Sequence, residues 1–190
     1  MIEPAELMRQ AIAKCRQGIA AGQSPFGCAI AIDDRVVAVA HNTVLLSLDV
    51  TAHAEVNALR LACKAQGDIH LPGAVVATTC EPCPMCTAAL HWARVDQVHY
   101  GATIADAQAA GFNEMQLPAA EIASMGRSQI KLLPGMLAEE CRELFAESVE
   151  RCFNFRRHFF EVLLHFFFVG VLRFRIVGRG IIIFWQRAPQ

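Results

Sequence analysis

The sequence predicts an α/β protein: a three-layer α/β/α sandwich whose five-stranded mixed sheet carries helices on both faces. Three observations carry that expectation. Cys28 to Ile32 and Val36 to Ala40 flank an Asp33-Asp34 turn and read as a β-hairpin. A strand at 73–79, a helix opened by Pro84 and a strand at 95–100 then follow, an order that makes a right-handed parallel crossover. Amphipathic helices bracket the first 150 residues at both ends.

Each element has its own reason. Met8, Ile12, Cys15 and Ile19 fall at helical spacing in a first helix over 4–21, with Pro4 in its first turn and Gly22 as its stop. The loop Gly22 to Gly27 carries Phe26, which suits the core or one wall of a flat pocket. Asn42, at the end of the hairpin, offers both a donor and an acceptor. It suits a turn cap or the reading of a heterocycle edge. Thr51 reads as the N-cap of a helix over 52–66 with Val56, Leu59 and Cys63 on its inner face, and Gly67 ends it. His53 and Glu55 then fall in the first turn, two residues apart and facing different ways. Pro84 at the first helical position puts Cys83 near an N-cap and Cys86 in the first turn of a helix running through Trp92. Residues 104–127 read as irregular, with one helical turn at 106–110 and a loop at 111–114 in which Glu114 is a solvated acid unless the fold brings it to a pocket. A last strand spans 128–133. Leu137, Cys141, Leu144, Phe145 and Ser148 mark a final amphipathic helix.

The chemistry concentrates in two short stretches, Thr51-Ala52-His53-Ala54-Glu55 and Thr79-Cys80-Glu81-Pro82-Cys83-Pro84-Met85-Cys86. One imidazole and two thiolates make three ligands, and a catalytic zinc wants three protein ligands and an open position. Glu55 is left to move protons beside the metal. The pattern H-x-E followed by P-C-x-x-C is the established signature of zinc-dependent base deaminases. Two other readings compete. A lone C-x-x-C can be a redox pair, but nothing around it here has a thioredoxin-like pattern. Cys80 could join His53, Cys83 and Cys86 in a closed Cys3His structural site, a non-catalytic zinc module that leaves Glu55 without a task.

The chain of 190 residues suits one domain with a sizeable core. It has eight cysteines and no signal peptide ahead of its first helix, so the expected setting is cytoplasmic with reduced thiols. Residues 1–150 hold ten Lys/Arg against seventeen Asp/Glu, a net −7. An acidic body argues against a polyanionic partner, which needs a basic footprint.

The order of elements and both motifs resemble the cytidine deaminase-like superfamily, and within it the bacterial guanine deaminases, with the tRNA adenosine deaminases next. The resemblance covers residues 4–150. It rests on the two stretches above with Val56, on Trp92-Ala93-Arg94 and on Ala110-Gly111-Phe112. It implies that His53, Cys83 and Cys86 hold zinc and that Glu55 shuttles protons. It implies further that Phe26, Asn42, Ala54, Trp92 and Glu114 surround a nucleobase, and that the protein is a homodimer. Guanine deaminases carry two acids after the Phe, whereas Asn113-Glu114 stands here. Guanine is the expected substrate, with transfer RNA adenosine the alternative.

Residues 151–190 depart from this pattern. They hold nine of the twelve Phe and seven Arg against one acid, Glu161. Their longest uncharged run, Val162 to Leu172, is short of the ~18 residues of a membrane span. Three readings stand open: a membrane-surface segment, a cover for a partner subunit, or a non-native reading frame. The last is favoured, because neither helical nor alternating periodicity is clean.

Overall fold

The computed structural model describes residues 2–151 and the backbone of Leu172–Val177 and Gly180–Trp185. The elements in order are α1 (Pro4–Ala20), β1 (Gly27–Ile32), β2 (Arg35–His41), α2 (Val44–Ser47), α3 (Ala54–Gln66), β3 (Val75–Cys80), α4 (Pro84–Trp92), β4 (Gln97–Ala102), α5 (Ile104–Ala109), α6 (Ala119–Met125), β5 (Lys131–Pro134) and α7, residues 138–151. The sheet order is β2-β1-β3-β4-β5. β1 pairs antiparallel with β2 and β3; β3–β4 and β4–β5 are parallel. The expected mixed sheet of five strands is what forms.

Period-two alternation splits the core in two. Ala29, Ala31 and Ala77 face α1, α5 and α7, together with Leu7, Met8, Ala107, Leu144 and Phe145. Cys28, Ile30, Val76 and Val98 face α3 and α4, with Ala58, Ala62 and Leu90. The helices lie close to the sheet because small residues line the contacts.

The register gathers the chemistry at one edge. Gly27 opposes His41, Cys28 opposes Thr78, and Cys80 runs beside Ala102. The start of β1, the end of β2 and the carboxyl ends of β3 and β4 therefore share that edge. Ligands of open α/β sheets bind outside the carboxyl ends of their parallel strands.

Several boundaries differ from expectation. Thr51 does not cap α3: its hydroxyl bonds Asp49 Oδ1 at 2.7 Å, and His53, with φ −66° and ψ 158°, is the N-cap. The buried face of α3 is Ala54, Glu55, Ala58, Leu59 and Ala62, while Val56 and Cys63 are only half-buried. Close packing on the sheet selects small residues there. α2 and α6 were not foreseen. α2 buries none of its residues and so has no amphipathic pattern. β5 starts three residues later than expected and ends on Pro134, at the sheet edge where a missing N–H is tolerated.

The chain divides into two compact units, Met1–Ser148 and Val149–Gln190. The second contains β6 (Leu172–Val177) and β7 (Gly180–Trp185), an antiparallel pair in register from Leu172–Trp185 to Val177–Gly180. Against the expectation of no clean periodicity, Leu172-Arg173-Phe174-Arg175-Ile176 alternates apolar and basic residues, a short strand signal, whereas β7 is a continuous apolar run from Ile181. The tail's Phe-rich run 153–168, with Arg156 and Arg157, lies outside the described residues. Among the described residues no helix is long and apolar enough to cross a membrane.

Gly27 is a place of close approach between α1 and the sheet. A Cβ there would run into the Ala11 carbonyl oxygen and stand 2.9 Å from Cys15 Cβ. Gly27→Ala should cost about 2–3 kcal/mol of stability through overpacking, read as a lower urea midpoint with an unchanged slope. An unchanged midpoint would mean that α1 shifts off β1 without cost.

Candidate metal centre

Two helices begin at the sheet edge. His53 is the N-cap of α3 and Cys83 the N-cap of α4, both in extended backbone that turns the side chain back over the helix start. Pro84 follows Cys83 as the first helical residue, and Cys86 lies in the same turn. His53 Nδ1 stands 3.7 Å from Cys83 Sγ and 3.7 Å from Cys86 Sγ. The three ligand atoms lie within 4.8 Å of one another. A zinc tetrahedron with Zn–S about 2.3 Å and Zn–N about 2.0 Å has ligand–ligand edges of roughly 3.5–3.8 Å, so the residues fit the ion. Three ligands leave one position open.

The electrostatics suit a cation. The Cys83 thiol is pulled down to about 4, first by the hydrogen bond from Cys86 and then by the one to His53, against burial. The Cys86 thiol is pushed up, first by its bond to Cys83 and then by burial. Two thiols this close share a proton, and a divalent ion displaces it. His53 is held above its usual value, chiefly by Cys83.

Glu55 stands beside this cluster without joining it. It is 6 % exposed, accepts from Thr78 Oγ1 at 3.2 Å, and takes a weak bond from Cys86 Sγ at 3.5 Å. Burial first, and the Cys83 charge second, push its carboxyl above the usual range. Cys80 is not a ligand. Its Sγ is turned to the Thr103 carbonyl at 3.6 Å, and among the described residues only His53, Cys83 and Cys86 form a metal-binding group. The closed Cys3His reading therefore loses its fourth ligand.

The other expected residues divide. Glu114 is half-buried, close enough to Cys83 for the sulfur's charge to raise its carboxyl after burial does, and to His53 for the opposite effect. The fold therefore brings Glu114 towards the metal-binding group and partly out of solvent. Asn42 is 3 % exposed; its Oδ1 accepts from Val44 N at 3.0 Å, the turn-cap role, and its amide nitrogen is not used in that bond. Phe26 packs edge-on against Phe112 at 5.4 Å and Phe145 at 6.0 Å, so it serves the core while standing at the site's edge of the sheet. Ala54, the first residue of α3, is fully buried in the core. Trp92 stands apart from the group. It is 73 % exposed at the far end of α4, about 13 Å along the axis from Cys83. This chain does not bring it to its own metal centre.

Three supporting residues escaped sequence reasoning. Thr78 orients Glu55. Asn57 donates through Nδ2 to His41 O, Thr43 Oγ1 and Ala52 O, which ties the Asn42 segment to α3. Glu81 accepts from the backbone amides of Ile104 and Ala119. Its place inside the cysteine motif was the one available signal.

A family model described as the cytidine and deoxycytidylate deaminase zinc-binding region matches residues 1–102. The chain belongs to the cytidine and deoxycytidylate deaminase family. It is a zinc-binding deaminase, and His53, Cys83 and Cys86 form a group that could hold the ion. The guanine deaminase of Bacillus subtilis is 44 % identical over 108 residues, 56 % of this chain and 69 % of that one. The tRNA-specific adenosine deaminase of Agrobacterium fabrum is 40 % identical over 102 residues, 54 % of this chain and 67 % of that one. Among solved structures, the guanine deaminase from Nitrosomonas europaea superposes with a TM-score of 0.71 at 27 % identity, covering 78 % of this chain and 85 % of its own.

The ligand assignment gives a clear outcome. His53→Ala, Cys83→Ala and Cys86→Ala should each lose zinc by elemental analysis. Cys80→Ala should keep about one ion per chain, as a three-ligand site requires.

Proposed function

We propose that the protein hydrolyses a free nucleobase, converting guanine and water to xanthine and ammonia. The observation that carries this reading is Glu114, a half-buried acid close enough to Cys83 and His53 to feel the charge of both. Guanine presents ring and exocyclic N–H groups that a carboxylate accepts, and adenine does not present the same array. A wrong base leaves the buried charge unpaired. The identity with the Bacillus enzyme supports the same reading.

Zinc bound here supplies a water of near-neutral pKa. Glu55 takes the proton of the attacking water and passes it to the ring nitrogen next to the carbon under attack. It then takes the second proton, from the new hydroxyl, and delivers it to the leaving amine, so the C–N bond breaks to ammonia and the hydroxyl oxygen becomes the carbonyl. A carboxyl raised by burial both accepts and returns a proton. Thr78 holds it in place. Asn42 offers its amide nitrogen to the base edge, and Phe26 with Phe112 walls the flat face.

The second reading is a tRNA adenosine deaminase with the same centre. It is supported by the Agrobacterium relative and by a solved tRNA wobble-position deaminase, 30 % identical with a TM-score of 0.65, covering 73 % of this chain and 98 % of its own. The acidic body argues against it. The setting we propose is cytoplasmic, and the working form a homodimer, supported by exposed Leu45, Leu46, Leu48 and Val50 next to the Asn42 turn. The deaminase unit ends near residue 150, and the tail is dispensable.

Ammonia release from guanine, adenine, cytosine, their nucleosides and aminotriazines decides among substrates. Guanine should be preferred; inosine in transfer RNA, with steep salt dependence, would instead establish the second reading. Glu55→Ala should keep zinc and lose turnover by about 10²–10⁴-fold. Loss of zinc in that variant would overturn its role. Glu114→Gln should lower kcat/KM for guanine roughly a hundredfold, the cost of one charged hydrogen bond. A chain ending at residue 151 should keep its zinc, melting temperature and turnover; an unstable, inactive truncation would show the tail to be native.

A further inference from the structure

We infer that Glu81 is a positioning residue that sets where Glu114 stands, and through it which base the site accepts. Glu81 lies between the end of β3 and Pro82 and is 9 % exposed. Its Oε2 accepts from Ile104 N at 3.2 Å and its Oε1 from Ala119 N at 2.9 Å. Ile104 opens α5 and Ala119 opens α6. One carboxylate therefore holds both ends of the segment that carries Glu114.

The segment is pinned a third time in its middle. Phe112 packs against Phe26 at 5.4 Å and Phe145 at 5.6 Å. Glu114 follows two residues later, its amide donating to Phe112 O at 3.1 Å. The clamp is itself fixed, because Glu81 N donates to Ala102 O at 2.8 Å. Glu81 sits between Cys80 and Cys83, so the clamp and two metal ligands share one short stretch of chain. A shift of the 110–118 loop is then a shift of Glu114 relative to zinc. Glu81 touches neither the ligand group nor Glu55 in any recorded bond among the described residues, which separates its role from theirs.

The activity arm of the test rests on the guanine reading; the exchange arm does not. In the full-length zinc protein, Glu81→Gln keeps the shape but replaces one acceptor oxygen with an amide that faces an N–H. Glu81→Asp keeps both acceptors on a shorter stem. Both variants should retain one zinc per chain. Hydrogen exchange across 110–118 should rise about tenfold or more in Glu81→Gln and less in Glu81→Asp, with α1 unchanged. KM for guanine should rise about tenfold, more than kcat falls, and the guanine-over-adenine preference should drop towards that of Glu114→Gln. The double variant Glu81→Gln/Glu114→Gln should be no worse than Glu114→Gln, since both changes act through one contact. Additive losses, loss of zinc, or unchanged loop exchange would each overturn the inference. If Glu81→Gln does not fold, the same criteria apply to Glu81→Asp. If the natural chain does not turn over guanine, the substrate reading fails, and loop exchange alone then upholds or overturns the clamp.

Discussion

The structure depends on the meeting of two helix starts at one sheet edge. α3 begins at His53 and α4 at Cys83, and each cap residue turns its side chain towards the other. Unpaired amides at a helix start carry partial positive charge. They stabilise thiolate, and two thiolates offset the charge of a divalent ion. The ion in turn ties together elements 30 residues apart in sequence, as the His53–Cys83 contact shows. Neither helix could start a residue earlier or later without moving a ligand off the tetrahedron.

Around that centre, two loops approach from β2 and β4, and each is tied by one polar side chain, the second also by Phe112 packed on Phe26 and Phe145. Asn57 gathers His41, Thr43 and Ala52 under the Asn42 turn. Glu81 gathers the first residues of α5 and α6 around the Glu114 loop. Loops run over the surface and bury little apolar area, so polar tethers must fix them. Each tether costs its full desolvation if a partner is lost. The loops are thereby fixed beside the metal-binding group.

What could be read from the sequence follows the range of the physics involved. Ligands, caps and strands depend on neighbours within a few residues, so Cys83 before Pro84, the hairpin and the crossover were legible. Contacts across long separations were not, apart from the His53, Cys83 and Cys86 group, which its paired motifs announce. The partners of Glu81 are backbone amides 23 and 38 residues away, and backbone amides carry no sequence signature. Val56 and Cys63 were expected inside α3 because size was taken for burial, whereas the helix lies close on alanines. Thr51 was a plausible cap until Asp49 engaged its hydroxyl. Trp92 entered through resemblance, which carries a residue's identity but not its distance along a helix.

Glu114 shows what the remaining choice of substrate turns on. Burial and a nearby sulfur charge both disfavour its ionised form, and His53 offsets them in part. A carboxylate in that position is stabilised by whatever donor enters the pocket. A base with two adjacent N–H groups supplies the donors, whereas a base presenting a ring acceptor there places two lone-pair sets face to face. The second arrangement is penalised in proportion to how well water is excluded, because an unpaired charge costs most in a dry site. In the proposed reading, selectivity is set by the rigidity of the loop as much as by the acid itself. A mobile loop would admit water to Glu114 and let either base bind, while a clamped one forces the base to satisfy the carboxylate.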